Sequence, residues 1–223
     1  MRQFERRLVL VRQSLSRNED HAFVEEIIGT ARGAFERIIP AIPYIGGRDN
    51  LFTKVLITNA WIIALYQAMR SRERSIDEIV RLSCDTADRY LREKPALLLH
   101  AFGHLAFTSF VTGPLKKQGV QSQQRFYPQD FVFELIKGDG ERFDWKLEFS
   151  ECAVIKFFES QGAGELKPFC NMVEVTYSRF LNLGLDATHT IGGGCNACVL
   201  AFRKGRPTKI PQGLEAMLPP WKG

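Results

Sequence analysis

No run of Lys or Arg longer than two residues occurs in the 223-residue chain, and no basic stripe interleaves with aromatics. With a net charge of only +5, a nucleic-acid partner is not expected; the mild positive balance suits an anionic small molecule as well. Internal repeats and low-complexity tracts are missing. The opening Met1-Arg2-Gln3-Phe4-Glu5-Arg6-Arg7 is charged throughout and lacks the apolar stretch of a secretory signal. Cysteine is sparse: five residues, an odd number without the spacing of a disulfide framework. Reduced thiols in a cytoplasmic protein are therefore expected. One stretch, Pro95 to Pro114, carries no formal charge. His100, Gly103, His104, Thr108, Ser109, Thr112 and Gly113 within it predict a buried helix or helix pair rather than a membrane span, and no membrane partner.

A 45% hydrophobic fraction is enough for a sizeable core. The chain reads as a single domain over 1–223: a mainly helical part over 1–125, a sheet- and motif-bearing part over 126–204, and a tail over 205–223. Asp20 to Ile39 repeats its apolar residues near a 3.6 period, and Pro40, Pro43 and Gly46-Gly47 break it. A helix capped by Asp49 or Asn50 runs to about Arg70; Leu56, Ile57, Trp61, Ile62 and Leu65 mark it as central. Ser75-Ile76-Asp77-Glu78 is a capping-box pattern opening a helix to about Arg92, and Pro95 to Phe110 is a further candidate. The period then changes to two. Asp130–Ile136 and Arg142–Phe149 read as strands around a Gly138-Asp139-Gly140 turn, with Phe143, Trp145, Leu147 and Phe149 on one face. A helix over Cys152–Ser160, a break at Gly162 and Gly164, and a helix over Pro168–Leu183 follow. Strands over 186–191 and 198–203 then flank a glycine turn. The expected fold is α+β: a helical N-terminal half packed against a mainly antiparallel sheet formed by the C-terminal half.

Four of the five cysteines fall between Cys152 and Phe202, and there the chemistry concentrates. Pro168 suits a first helical position, which would put Cys170 in the first turn, where peptide N–H groups favour a thiolate and a nucleophile. Free cysteines are otherwise small buried hydrophobes. Glu174 and Tyr177 follow Cys170 at i+4 and i+7 and share its face. Glu165, in the Gly-rich linker, reads as a general base or as a cap of the next helix. His189 offers an acid/base or a sheet histidine. Cys152 opens a helix, and Cys198 opens an apolar, buried strand. After Thr190, the turn Gly192-Gly193-Gly194 permits close backbone approach to a ligand and offers N–H donors, or is simply a flexible hairpin turn. Arg203 or Arg179 would meet an anionic group. Cys195-x-x-Cys198 with Cys152 and Cys170 leaves a structural zinc as an alternative; no metal or other cofactor is otherwise expected.

The ordered set Cys152…Phe157…Glu165-Leu166-x-Pro168-x-Cys170…Thr190-Ile191-x-x-Gly194-x-x-x-Cys198-x-x-x-Phe202 resembles the L-2-amino-thiazoline-4-carboxylic acid hydrolase family, most closely over 128–204. The resemblance implies hydrolysis at a cyclic, amidine-like carbon, where water opens a ring. With the residue readings above, Cys170, Glu165 and His189 are the catalytic candidates. Cys152, Glu174, Tyr177, Thr190, Gly193, Gly194, Cys198 and Arg203 are the substrate-binding candidates. Val173 and Val199 stand where the family pattern usually has Asp. The expectation is a carbon–nitrogen hydrolase with a small-molecule substrate, compatible with a homo-oligomer; a non-catalytic small-molecule-binding or sensor domain is the alternative.

Overall fold

The structure, a computed structural model, describes residues 2–221. Eight α-helices occur among them: α1 (Arg2–Leu15), α2 (His21–Ile38), α3 (Thr53–Arg70), α4 (Ile76–Arg92), α5 (Ala96–Leu105), α6 (Ser109–Ser122), α7 (Ala153–Ser160) and α8 (Met172–Leu181). Four strands, β1 (Val132–Lys137), β2 (Trp145–Glu151), β3 (Leu185–His189) and β4 (Cys198–Phe202), form one antiparallel sheet in the order β1-β2-β4-β3. The α+β expectation holds, with the helices mostly before the sheet.

Local chemistry sets the helix starts. The Asp20 side chain accepts the Phe23 N–H at 2.8 Å and opens α2. Ser75 and Glu78 form the reciprocal capping box that opens α4, satisfying two otherwise unpaired donors. Helix α3 is buried on most sides, from Leu56 through Met69, as its broad apolar pattern predicts. It packs on α2 and α7. Just before it, the Phe52 ring meets Phe131, Phe133 and Phe149 at centroid distances of 4.9, 5.1 and 5.8 Å, tying the helical layer to the sheet. In β2, Trp145, Leu147 and Phe149 are buried in alternation, and Trp145 stacks on Phe202 of β4 at 4.1 Å.

Three local readings change. The N-terminal segment, which reads only as charged, forms α1; Phe4, Leu8 and Val11 are buried where α1 packs on α4 and α2. The uncharged stretch after Pro95 is two helices, α5 and α6, meeting at 54°. The pair is exposed rather than buried: only Leu99 and Gly103 of α5 are inside. No single helix among the described residues is long and apolar enough to cross a membrane. The tail is not free either, because Leu214 and Met217 join the core.

Gly103 holds α5 against α8. A Cβ there would stand 1.9 Å from the Leu181 carbonyl oxygen, closer than any side chain permits. Gly29, in the middle of α2, has nothing within 4 Å of a Cβ. Gly103→Ala is therefore expected to lose about 1–3 kcal/mol or more, as overpacking does. Gly29→Ala should gain about 0.5–1 kcal/mol through helix propensity. Urea unfolding of both variants checks the pair; equal effects would mean that α5 does not dock on α8 by backbone contact.

Candidate functional site

The site is assembled where two 3-10 turns touch. The first, Gly164–Phe169, contains Pro168 and leads to Cys170; the second, Ile191–Gly193, follows Thr190. The helix expected from Pro168 begins only at Met172, so Cys170 lies outside its first turn. The reason is Asn171, whose buried side-chain amide donates to the Ala187 carbonyl of β3 at 2.8 Å and pins an elbow between turn and helix. Gly192 then approaches closely: a Cβ on it would lie 2.0 Å from the Lys167 carbonyl oxygen and 3.0 Å from Cys170 Sγ.

Three thiols converge there: Cys152 just before α7, Cys170 after the first turn and Cys198 opening β4. All are free. Cys198 Sγ accepts the Ile191 N–H at 3.1 Å, and the Cys152 thiol and the Gly192 N–H also donate to it. These donors hold Cys198 below the ordinary thiol range, the Cys152 hydrogen bond contributing most; peptide N–H groups stabilise a thiolate. Cys152, the donor, is pushed well up, by that bond and by burial. Burial also pushes Cys170 up to about 12, aided by the charges of Cys198 and Glu174 and opposed by the Thr190 hydroxyl. Of the three thiols, Cys198 is the one whose surroundings favour the thiolate, whereas burial disfavours it at Cys170.

Glu174, in the first turn of α8, completes the cluster. Its Oε2 is sealed from solvent and has no hydrogen-bond partner, and burial raises its carboxyl to about 7. Glu174 lines a cleft of about 580 Å³ with Val173 and Tyr177 of α8, Asn59 and Trp61 of α3, and Arg7 of α1. Lys54 stands on the same wall. Trp61 Nε1 is likewise buried without a partner. One sealed acceptor and one sealed donor thus belong to side chains around a single hollow, and unpaired buried polar atoms are rare enough to require a reason. Arg7 is held in place by the Tyr90 ring, 3.5 Å from its guanidinium carbon, and its Nη2 donates to the Tyr177 hydroxyl at 3.4 Å. A smaller, largely apolar hollow between α1, α3 and α4 shares Arg7, Trp61, Val173 and Tyr177 with the cleft.

Other expected site residues lie elsewhere. Glu165 turns to α3, where its Oε2 accepts the Tyr66 hydroxyl at 2.7 Å and sits 3.3 Å from Arg70 Nε; the surrounding 3-10 turn points it away from the thiols. His189 is exposed, because the β3–β4 register slips between Asp186 and His189; its Nδ1 lies 3.2 Å from Thr188 Oγ1. Gly193, Gly194 and Cys195 spend their N–H groups inside the turn, on Thr190 and Ile191, so the turn's free donors serve thiols rather than a substrate oxygen. Arg203 does not line the cleft, and Arg179 is engaged by the Pro219 carbonyl and the Trp221 ring. The thiol that Cys198 meets is Cys152 rather than Cys195, and no group of three or more His, Cys, Asp or Glu among the described residues could hold a metal ion. Arg7, Lys54, Asn59 and Trp61 were missed. They come from helices remote in sequence, and Trp61 reads simply as part of an apolar face.

The family model for L-2-amino-thiazoline-4-carboxylic acid hydrolase matches residues 54–202, well over half of the chain. The chain belongs to this family. Comparisons with curated proteins and with solved structures return no match. The matched span includes α3, the three clustered thiols, Glu174 and all four strands. Arg7 lies outside it.

Two measurements check the electrostatics. A carboxyl raised from 4.5 to about 7 is held protonated by folding, so stability is full at low pH and falls as pH rises through 7, by up to roughly 3 kcal/mol. Glu174→Gln removes this loss. The variant should be more stable than the parent at pH 8, with the advantage shrinking towards pH 5; a pH-independent difference would show an ordinary carboxylate. Separately, the ultraviolet absorbance of thiolate should titrate below the usual thiol value of about 8.5. That step should vanish in Cys198→Ser, move upward in Cys152→Ala and persist in Cys170→Ser. Loss of the step in Cys170→Ser alone would restore the other assignment.

Proposed function

We propose that the protein hydrolyses a carbon–nitrogen bond of a small, cyclic, amidine-like substrate bound in the cleft, with Glu174 handling the proton. The observation that carries this reading is the carboxyl of Glu174, a cleft-lining residue whose Oε2 is buried without a hydrogen-bond partner. An amidinium N–H is a donor that fits it, through a charge-assisted hydrogen bond. A carboxyl near 7 suits proton transfer in both directions at neutral pH. It accepts a proton from water as the water oxygen bonds to the amidine carbon. It returns that proton to the nitrogen as the carbon–nitrogen bond breaks and then takes up the hydroxyl proton of the former water as the carbonyl forms, leaving a carbonyl and a free amine. Arg7 and Lys54 supply the cations for an anionic substrate group, in place of Arg179 and Arg203. Cys198, like Arg203, does not line the cleft, so water is the nucleophile and the thiols stand behind the cleft wall.

Ring opening of 2-amino-thiazoline-4-carboxylate and related cyclic amidines, followed by chromatography, tests the proposal. Glu174→Gln should lose about 10²-fold or more in kcat/KM. The parent's kcat/KM should rise with pH through about 7, because the base works deprotonated. Cys198→Ser should lose little activity, because the thiol does not line the cleft; a loss as large as that of Glu174→Gln would count against water as the nucleophile. Full activity in Glu174→Gln overturns the proposal, and ligand-induced thermal stabilisation without turnover would support the sensor alternative.

A further inference from the structure

The proposed chemistry leaves α5 and α6 unexplained. Helix α5 turns most of its apolar residues to solvent: Leu97 is 82% exposed and Phe102 55%, and Phe110 at the start of α6 is 78% exposed. Leu98 and Leu105 are exposed beside them. The helix cannot retract, because Gly103 is already seated against the Leu181 carbonyl oxygen. An apolar patch held outward in this way marks an interaction surface.

Charge identifies the partner. Residues 95–115 contain no Asp, Glu, Lys or Arg, and Lys94, Lys116 and Lys117 stand at the two ends of that run. From Lys94 through Gln129 the chain has no acidic residue at all. None of the three lysines takes part in an ion pair among the described residues, whereas Arg125 further on is paired with Glu151. The elbow thus presents an apolar centre between cationic ends. Neither helix alone is long and apolar enough to cross a bilayer, and Gly103 keeps α5 seated on α8, so the bent pair is placed to lie in an interface.

We infer that the α5–α6 elbow docks this protein on an anionic lipid membrane. Leu97, Phe102 and Phe110 enter the boundary between headgroups and acyl chains, and Lys94, Lys116 and Lys117 meet the lipid phosphates. A second copy of the chain is the poorer occupant. Two such elbows face to face would oppose lysine to lysine, with no carboxylate in the segment to neutralise them. The expectation of no membrane partner is thereby replaced by a peripheral contact, independent of the proposed hydrolysis.

The test is co-sedimentation of the full-length protein with vesicles of phosphatidylcholine alone, or mixed with phosphatidylglycerol at about one third. Binding should require the anionic lipid and weaken with added salt. Leu97→Asp/Phe110→Asp and, separately, Lys116→Glu/Lys117→Glu should each cut binding at least about tenfold. Both pairs are exposed, and circular dichroism confirms that the variants are folded. Absence of binding to anionic vesicles, or equal binding to both vesicle types, overturns the inference. So does light scattering that shows a dimer dissolved by Leu97→Asp/Phe110→Asp without any vesicle binding.

Discussion

The site rests on one backbone contact. Gly192 has no Cβ, and the Lys167 carbonyl oxygen lies within 2.0 Å of where one would be. This lets the turn before β4 press against the turn before α8, bringing Cys170 beside Gly192 and aiming the Ile191 and Gly192 N–H groups at sulfur. Thr190 locks the arrangement from within, its side chain and carbonyl both taking N–H groups of the turn. Any side chain at 192 would part the two turns and take the donors away from Cys198. The glycine is required for space, which is a different reason from conformational freedom.

Burial then divides the ionisable groups. Left alone, it would neutralise all of them, because a charge in an apolar wall is costly. Cys152, Cys170 and Glu174 follow that rule and move up. Cys198 moves down because a thiol and two peptide N–H groups replace its water. Each negative charge also penalises the others, as the effects of Cys198 and Glu174 on Cys170 show. Arg7 and Lys54 line the same cleft as Glu174, with Arg7 braced by Tyr90 and Tyr177. A ligand carrying a cationic, donating end and an anionic end matches that polarity.

Much of the architecture was legible in the chain. The alternation Trp145, Leu147, Phe149 gives the buried face of β2, and Ser75 with Glu78 gives the start of α4. In both cases the signal lies in residues a few positions apart, so local chemistry settles it. The order of the cysteine- and glycine-bearing motifs likewise pointed to the family that the chain belongs to. Where the reading failed, a distant partner intervened. Pro168 does not open α8, because Asn171 is tied to Ala187. Glu165 does not serve the thiols, because Tyr66 and Arg70 hold it.

The sequence by itself determined most of the elements, α1 apart, and which segments carry reactive groups, since periodicity, caps and residue types act over a turn or a strand. Only the tertiary structure decided which of those groups is charged and which faces the cleft. Ionisation depends on solvent exclusion and on donors brought from elsewhere in the chain: the turn at Ile191 and Gly192 for Cys198, and the packed surroundings of α8 for Glu174. The same holds for Arg7, a residue of an N-terminal helix that reaches the cleft only because α1 packs on α4.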